Sequence, residues 1–251
     1  LAGALPHRFR LAAEDLNALI DKTRFAISNE ETRFYLNGIY VHAAKDKKPC
    51  LRAVATDGHR LARYELELPD GAADMPGVIV PRKTVAELRR LLEDAEGAID
   101  IALSDTKIQF SFEGVELTSK LIDGSFPDYQ RVIPTGNDKS LTVDAKEFSQ
   151  AVDRVSTISA DKTRAVKLNL SSDKVTLSVV NPESGTATEE LGANYSADGI
   201  EMGFNARYLL DITGQIVGRD ARFLLADAGS PTLIEDTEDG RTLYVLMPMR
   251  V

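Results

Sequence analysis

The chain has 251 residues, 43% of them hydrophobic and 27% charged, enough for one large or two ordinary domains with real cores. No run of about 18 apolar residues exists, so no helix of this sequence spans a membrane. One cysteine, Cys50, and three scattered histidines, His7, His42 and His59, exclude an internal disulfide and a Cys-rich zinc site, and suit a reducing cytoplasm.

The formal net charge is −9, and the parts before and after Asn137 are both acidic. Such a balance argues against a nucleic-acid partner unless cations are gathered locally, because binding phosphates needs a basic surface. Leu1 to Pro6 lacks the basic-then-apolar pattern of a signal peptide.

From the start of the chain, Phe9 and Leu11 read as a short strand, followed by a helix with apolar Leu16, Leu19 and Ile20. Val78-Ile79-Val80 leads into a second helix, Lys83–Leu92. Alternating segments follow at 99–103, 108–112 and 115–121; period-two alternation marks half-buried antiparallel strands. The series then begins again. Leu141 and Val143 form a strand, and Phe148, Ala151, Val152 and Val155 a helical face. At an offset of 132 residues Val143 falls on Leu11, Phe148 on Leu16 and Val152 on Ile20. Ile200–Met202 leads into a helix at Ala206–Val217, then strands at 221–225, 232–234 and 242–247. Each copy therefore reads β-α-β-β-β twice, an α+β order rather than a doubly wound parallel sheet. The turn-rich stretch from Pro134 to Lys139 has linker composition. It divides the chain into domains 1–134 and 135–251.

Three strings stand out. Ala53–Ala62 is a strand, a tight Asp57-Gly58 turn in which both residues tolerate positive φ, and a second strand. It presents His59, Arg60 and Leu61, or, in an alternative reading, supplies Asp57 and His59 to a metal-dependent hydrolase. Lys120–Pro134 is a connector that its prolines keep extended. The end, Tyr244–Val251, is either the last core strand or a lining for a surface that accepts varied partners, with Met247 and Met249 as adaptable side chains. Cations on the helices, Lys22, Arg24, Arg82, Lys83, Arg89, Arg90, Arg154 and Arg207, are candidates for phosphate contact without base reading, or else ordinary solvated faces. A purely structural repeat protein is the remaining alternative.

Phe34-Tyr35-Leu36-Asn37-Gly38, Ala55–Leu61, Val80-Pro81-Arg82-Lys83, Phe126-Pro127-Asp128-Tyr129 and Met247-Pro248-Met249-Arg250, in this order, resemble the DNA polymerase III beta subunit family, the bacterial DNA sliding clamps. The resemblance covers essentially the whole chain as the second and third domains, with the first domain absent and the residues before Phe9 implied to be its exit linker. It implies tandem DNA-clamp domains, each with two helices on one face and antiparallel sheets on the other. It also implies no catalytic residues, no metal and no cofactor, and a homodimeric ring of which this piece is a monomer.

The implied partners are double-stranded DNA, contacted without regard to sequence, and the polymerase III alpha subunit, the clamp loader and other polymerases or repair proteins, bound through short linear peptides. Carried over residue by residue, the peptide site is Leu36, Thr56, Gly58, His59, Arg60, Leu61, Pro127, Arg131, Val132, Asn205, Tyr208, Val245, Leu246, Met247, Pro248, Met249 and Arg250, in a pocket between the two domains. Gly229 and Pro231 stand on a loop at its edge, where the family varies. The DNA-facing residues are Phe34, Tyr35, Arg82 and Lys83, with Phe34 where tyrosine is more usual.

Overall fold

Phe9 and Leu11 are the inward residues of β1 (His7–Ala12), whose other side chains are more exposed. The computed structural model describes residues 3–159 and 164–251, which divide into two units, Leu1–Pro127 and Asp128–Val251. In unit 1, β1 leads to α1 (Ala13–Asp21), β2 (Gly38–Ala44), β3 (Cys50–Thr56), β4 (Arg60–Glu67), β5 (Val78–Pro81), α2 (Arg82–Leu91), β6 (Ala98–Leu103), β7 (Lys107–Phe112) and β8 (Val115–Lys120). Unit 2 repeats the order as β9 (Lys139–Asp144), α3 (Ala145–Ser156), β10 (Ala165–Ser171), β11 (Lys174–Asn181), β12 (Gly185–Gly192), β13 (Ile200–Asn205), α4 (Ala206–Thr213), β14 (Asp220–Leu225), β15 (Thr232–Asp236) and β16 (Asp239–Leu246). Both are β-α-β-β-β written twice, and Ala13 and Ala145 open their helices at the offset read from the sequence.

Pairing shows something the order alone does not. β1 joins the sheet of the second half, antiparallel to β6 with Phe9 opposite Ile101, and β7 and β8 follow. β5 joins the first half, beside β2 with Val80 opposite Ile39, in the sheet that β3 and β4 continue. Each half thus lends its first strand to the other, covering an edge that would otherwise stand open. Unit 2 exchanges strands in the same way, β9 pairing with β14 and β13 with β10.

The helices bury one stripe each, as apolar residues three and four apart require: Leu16, Leu19 and Ile20 on α1, Val85 and Leu88 on α2, Phe148, Ala151, Val152 and Val155 on α3, and Leu209 and Ile212 on α4. Every helix donates its first backbone N–H to a carbonyl elsewhere: Ala13 to Gly97, Arg82 to Asn37, Ala145 to Arg219 and Ala206 to Arg164. Asp144 also caps α3 by accepting from Glu147 N at 2.9 Å.

Several expectations need correction. α4 stops at Thr213, with Gly214 closing it, instead of running to Val217; the apolar Ile216 and Val217 only prolong the pattern on paper. β16 ends at Leu246. The connector is extended only at first, where Leu121 N donates to Thr106 O and Ile122 N to the β5 carbonyl of Ile79, and Phe126 stacks on Tyr40 at 4.7 Å. Tyr129–Val132 then form a 3₁₀ turn. The compact units part after Pro127. Asn137, in the stretch of linker composition, is anchored within unit 2 by donating to Leu224 O and Pro231 O, both at 2.9 Å. Of the stretch before Phe9, His7 and Arg8 already belong to β1, and Leu1 and Ala2 lie outside the described residues.

Candidate binding surfaces

The β3–β4 connection is not the two-residue turn expected from Asp57-Gly58. Thr56 pairs with Leu61 across it, and among the two only Gly58 has positive φ, at +89°. Asp57 instead bends the chain with its side chain. Its Oδ1 accepts from His59 N at 2.9 Å and Arg60 N at 3.0 Å, an Asx-type turn. Thr56 Oγ1 donates to Arg60 O and accepts from Gly58 N. His59 and Gly58 are left at the exposed tip, while Leu61 and Leu36 are buried.

Arg60 is tied inward. It donates to Phe25 O at 2.7 Å and to Asp57 Oδ2 at 3.3 Å, and its guanidinium lies 5.3 Å from the centre of the Phe25 ring. Phe25 was not a sequence candidate, since nothing in its neighbours' pattern marks it. Arg33 stands beside the tip, paired with Glu30 at 2.8 Å, and that hydrogen bond holds the Glu30 carboxyl below its usual range. With both Asp57 oxygens spent on the turn, and no group of three His, Cys, Asp or Glu able to hold a metal among the described residues, the hydrolase alternative finds no support.

On the connector, Pro127, Arg131 and Val132 are all exposed, Val132 at 54%, and Arg131 pairs with Asp128 at 2.9 Å. In unit 2 Asn205 acts as the cap of α4, its Oδ1 accepting from Arg207 N at 2.9 Å and Tyr208 N at 3.3 Å; Tyr208 is half-buried. The terminal string serves both of its expected roles in succession. Val245 and Leu246 are buried in β16, and Met247, next along, is 41% exposed. The chain then crosses β13, where Met249 N donates to Gly203 O at 2.8 Å. A Cβ on Gly203 would lie 2.6 Å from Met249 O and 2.4 Å from a Val251 methyl, so glycine is what lets the tail lie down. A glycine inside an alternating strand is a legible sign of such an approach.

Phe34, 51% exposed, meets Tyr35 edge-on at 5.7 Å. Arg82 and Lys83 occupy the first turn of α2 with no acidic residue beside them, and both are exposed. Cations at a helix N-terminus oppose the dipole at a cost of about 0.3–1 kcal/mol each; Arg82 also donates to the Ser28 carbonyl, so Lys83 is the one whose placement the local dipole leaves unrewarded. Arg207 holds the second position of α4 as Lys83 holds that of α2. The other cations differ. Arg24 and Arg89 share Asp21 at 3.6 and 2.6 Å, Arg90 pairs with Glu87 and Arg154 with Glu189. Lys22 is buried, which removes it from any solvent-facing set.

Two tandem units of interlocked halves, with exposed apolar residues and basic helix starts, define an α+β protein of the DNA-clamp class. Residues 10–128 match the family described as DNA polymerase III beta subunit, central domain, and residues 130–250 match its C-terminal domain. The chain is 55% identical over 248 residues to the beta sliding clamp of Caulobacter vibrioides, covering 98% of this chain and 67% of that one. It is 40% identical over 243 residues to that of Pseudomonas aeruginosa, covering 97% and 65%. The structure of a Bartonella birtlesii sliding clamp bound to griselimycin is similar with a TM-score of 0.97 at 55% identity, covering 100% of this chain and 68% of that one. A Caulobacter crescentus clamp with PEG bound gives 0.97 at 54%, with the same coverage. The chain belongs to the DNA polymerase III beta subunit family, and its fold and function are those of a DNA sliding clamp. It spans about two thirds of the length of these relatives.

Proposed function

We propose that this sliding-clamp chain catalyses no reaction and works as a processivity factor. It keeps the polymerase III alpha subunit, the clamp loader and other polymerases or repair proteins on duplex DNA by holding their short linear peptides. The peptide seat draws on Leu36, Thr56, Gly58, His59, Arg60, Leu61, Pro127, Arg131 and Val132 from unit 1 and the connector. Asn205, Tyr208 and the run from Val245 to Arg250 contribute from unit 2. The place of work is the bacterial cytoplasm, on the nucleoid; no helix among the described residues is long and apolar enough to cross a membrane. The full-length protein closes as a homodimeric ring, whereas the two units alone sediment as a monomer.

The observation that carries the peptide reading is Met247. It stands exposed between the buried β16 and a tail pinned at Gly203, so its backbone is already ordered before anything binds, and little ordering entropy remains to oppose burial. Each Leu or Phe anchor of a peptide buried fully against such side chains contributes roughly 1.5–3 kcal/mol. Griselimycin bound to the Bartonella relative supports a ligand seat on this fold. Calorimetry with a short Gln- and Leu-rich peptide tests the proposal. Met247→Ala should weaken binding about tenfold, near 1.4 kcal/mol, with an unchanged melting midpoint. An unchanged Kd would place the seat elsewhere.

For DNA, Phe34, Tyr35, Arg82 and Lys83 form the contact set, with Arg207 as a counterpart in unit 2. Arg82, Lys83 and Arg207 act on phosphates by Coulomb attraction and read no bases. In the full-length ring, replacing Arg82 and Lys83 by alanine together should flatten the slope of log K against log salt by about 2 for each subunit that contacts the duplex.

A further inference from the structure

The core of unit 1 contains a void. A cavity of about 40 Å³ lies between α1, α2 and the two sheets, walled by Leu16, Leu19, Leu51, Val85, Leu88 and Ile101 among others. Every lining side chain is aliphatic or phenyl, and all but Val41 are buried. Two of the corresponding places in unit 2 carry larger groups, whereas others carry smaller ones, Leu141 matching Phe9 and Val152 matching Ile20. Phe148 stands at the position of Leu16, 132 residues on. Phe223 faces Leu141 in β9 as Ile101 faces Phe9 in β1, and the two rings meet at 5.2 Å.

We propose that this cavity is a binding site for one small, uncharged, nonpolar molecule of the size of xenon or a short hydrocarbon. A space above roughly 10–15 Å³ admits a water, but a water also needs two to four polar partners, and an apolar void without them stays dry. Aromatic rings are excluded by size, since benzene occupies cavities of about 150 Å³. An occupant gains dispersion contacts that the lining atoms now lack. Because α1 and α2 form one wall, occupancy stabilises their seating on the sheets by mass action. The site is separate from the peptide and DNA surfaces, and its existence does not depend on them.

The test is a crystal of the chain pressurised with xenon and read by anomalous scattering, with methyl resonances followed in solution under the same gas. One xenon atom among Leu16, Val85 and Ile101, with saturable shifts of those methyls, is the expected result. Leu16→Phe should abolish both. If that variant does not fold, Val85→Ile, one methylene larger, should weaken binding at least several-fold. Ordered water in the void, no xenon there at saturating pressure, or xenon binding indifferent to both fillings overturns the proposal.

Discussion

In unit 2 the rings of Phe148 and Phe223 meet beneath α3, and both helices start on capping side chains, Asp144 and Asn205. In unit 1 the same places hold Leu16 and Ile101 beside a void, and α1 and α2 start after Ala12 and Pro81 with no side-chain cap. Unit 1 carries instead a polar network on the outer face of β2, β3 and β4. Arg52, its side chain 4% exposed, pairs with Asp46 at 2.6 Å and Glu65 at 3.0 Å, and the Cys50 thiol donates to Glu65 at 2.9 Å. Burial, then that bond, push the thiol up to about 11, so it stays protonated and unreactive. One topology thus rests on an apolar core in both units, with capped helices added in one and a charge cluster around a buried arginine added in the other. The exchanged first strands, common to both, are what the fold requires.

If the comparison is right, the units should fail differently. The largest effect is expected from Phe148→Ala, at about 3–5 kcal/mol, because a ring is deleted from a filled core. Hydrogen exchange should then show unit 2 opening while unit 1 stays protected; equal loss in both would mean that the two cores are not separate stability elements. Next comes Asp144→Ala, costing about 1 kcal/mol by removing the α3 cap. Ala12→Ser, at the equivalent place before α1, should add a few tenths to about 1 kcal/mol. Denaturant midpoints of both variants check the asymmetry of capping.

The smallest effect concerns pH and belongs to unit 1 alone. His42 stacks on Tyr40 at 4.8 Å. Burial first, and the Arg52 charge second, hold it below the usual imidazole value of 6.5, while Asp46 and Glu65 pull the other way. The folded state therefore prefers neutral His42, and below 6.5 the unfolded chain binds the extra proton. Stability is full above that value and declines as the pH falls toward the folded one. Asp46 and Glu65 are themselves held below their usual carboxyl values, so their contribution is lost only at lower pH. His42→Gln should flatten the melting curve between neutrality and the carboxylate range. A slope unaffected by that change would sink the assignment.

Much of this fold could be read from the chain because its signals are local. Phe9 and Leu11 alternate, Leu16, Leu19 and Ile20 recur at helical spacing, and a period of 132 residues repeats both. The strand exchange could not, since nothing in Val78–Val80 says that its partner is β2 rather than β6. The end of α4 was hidden because Ile216 and Val217 continue an apolar pattern past Gly214. The hairpin tip misled because Asp-Gly commonly makes a two-residue turn, whereas the Asp57 carboxylate makes a longer one. Among the site residues, sequence could mark His59, Val132 and Met247 as candidates. It could not tell that Arg60 would be held by Phe25, or that Lys22 would be buried among otherwise charged neighbours.

Because β1 completes the second half's sheet and β5 the first half's, a cut in the loop between Glu67 and Val78 would not release two independent pieces. Each fragment would still be woven through the other by a full strand of main-chain bonds, so a nicked chain should migrate whole under native conditions and come apart only in denaturant. The same weave makes either half, expressed alone, prone to seek a second copy of itself.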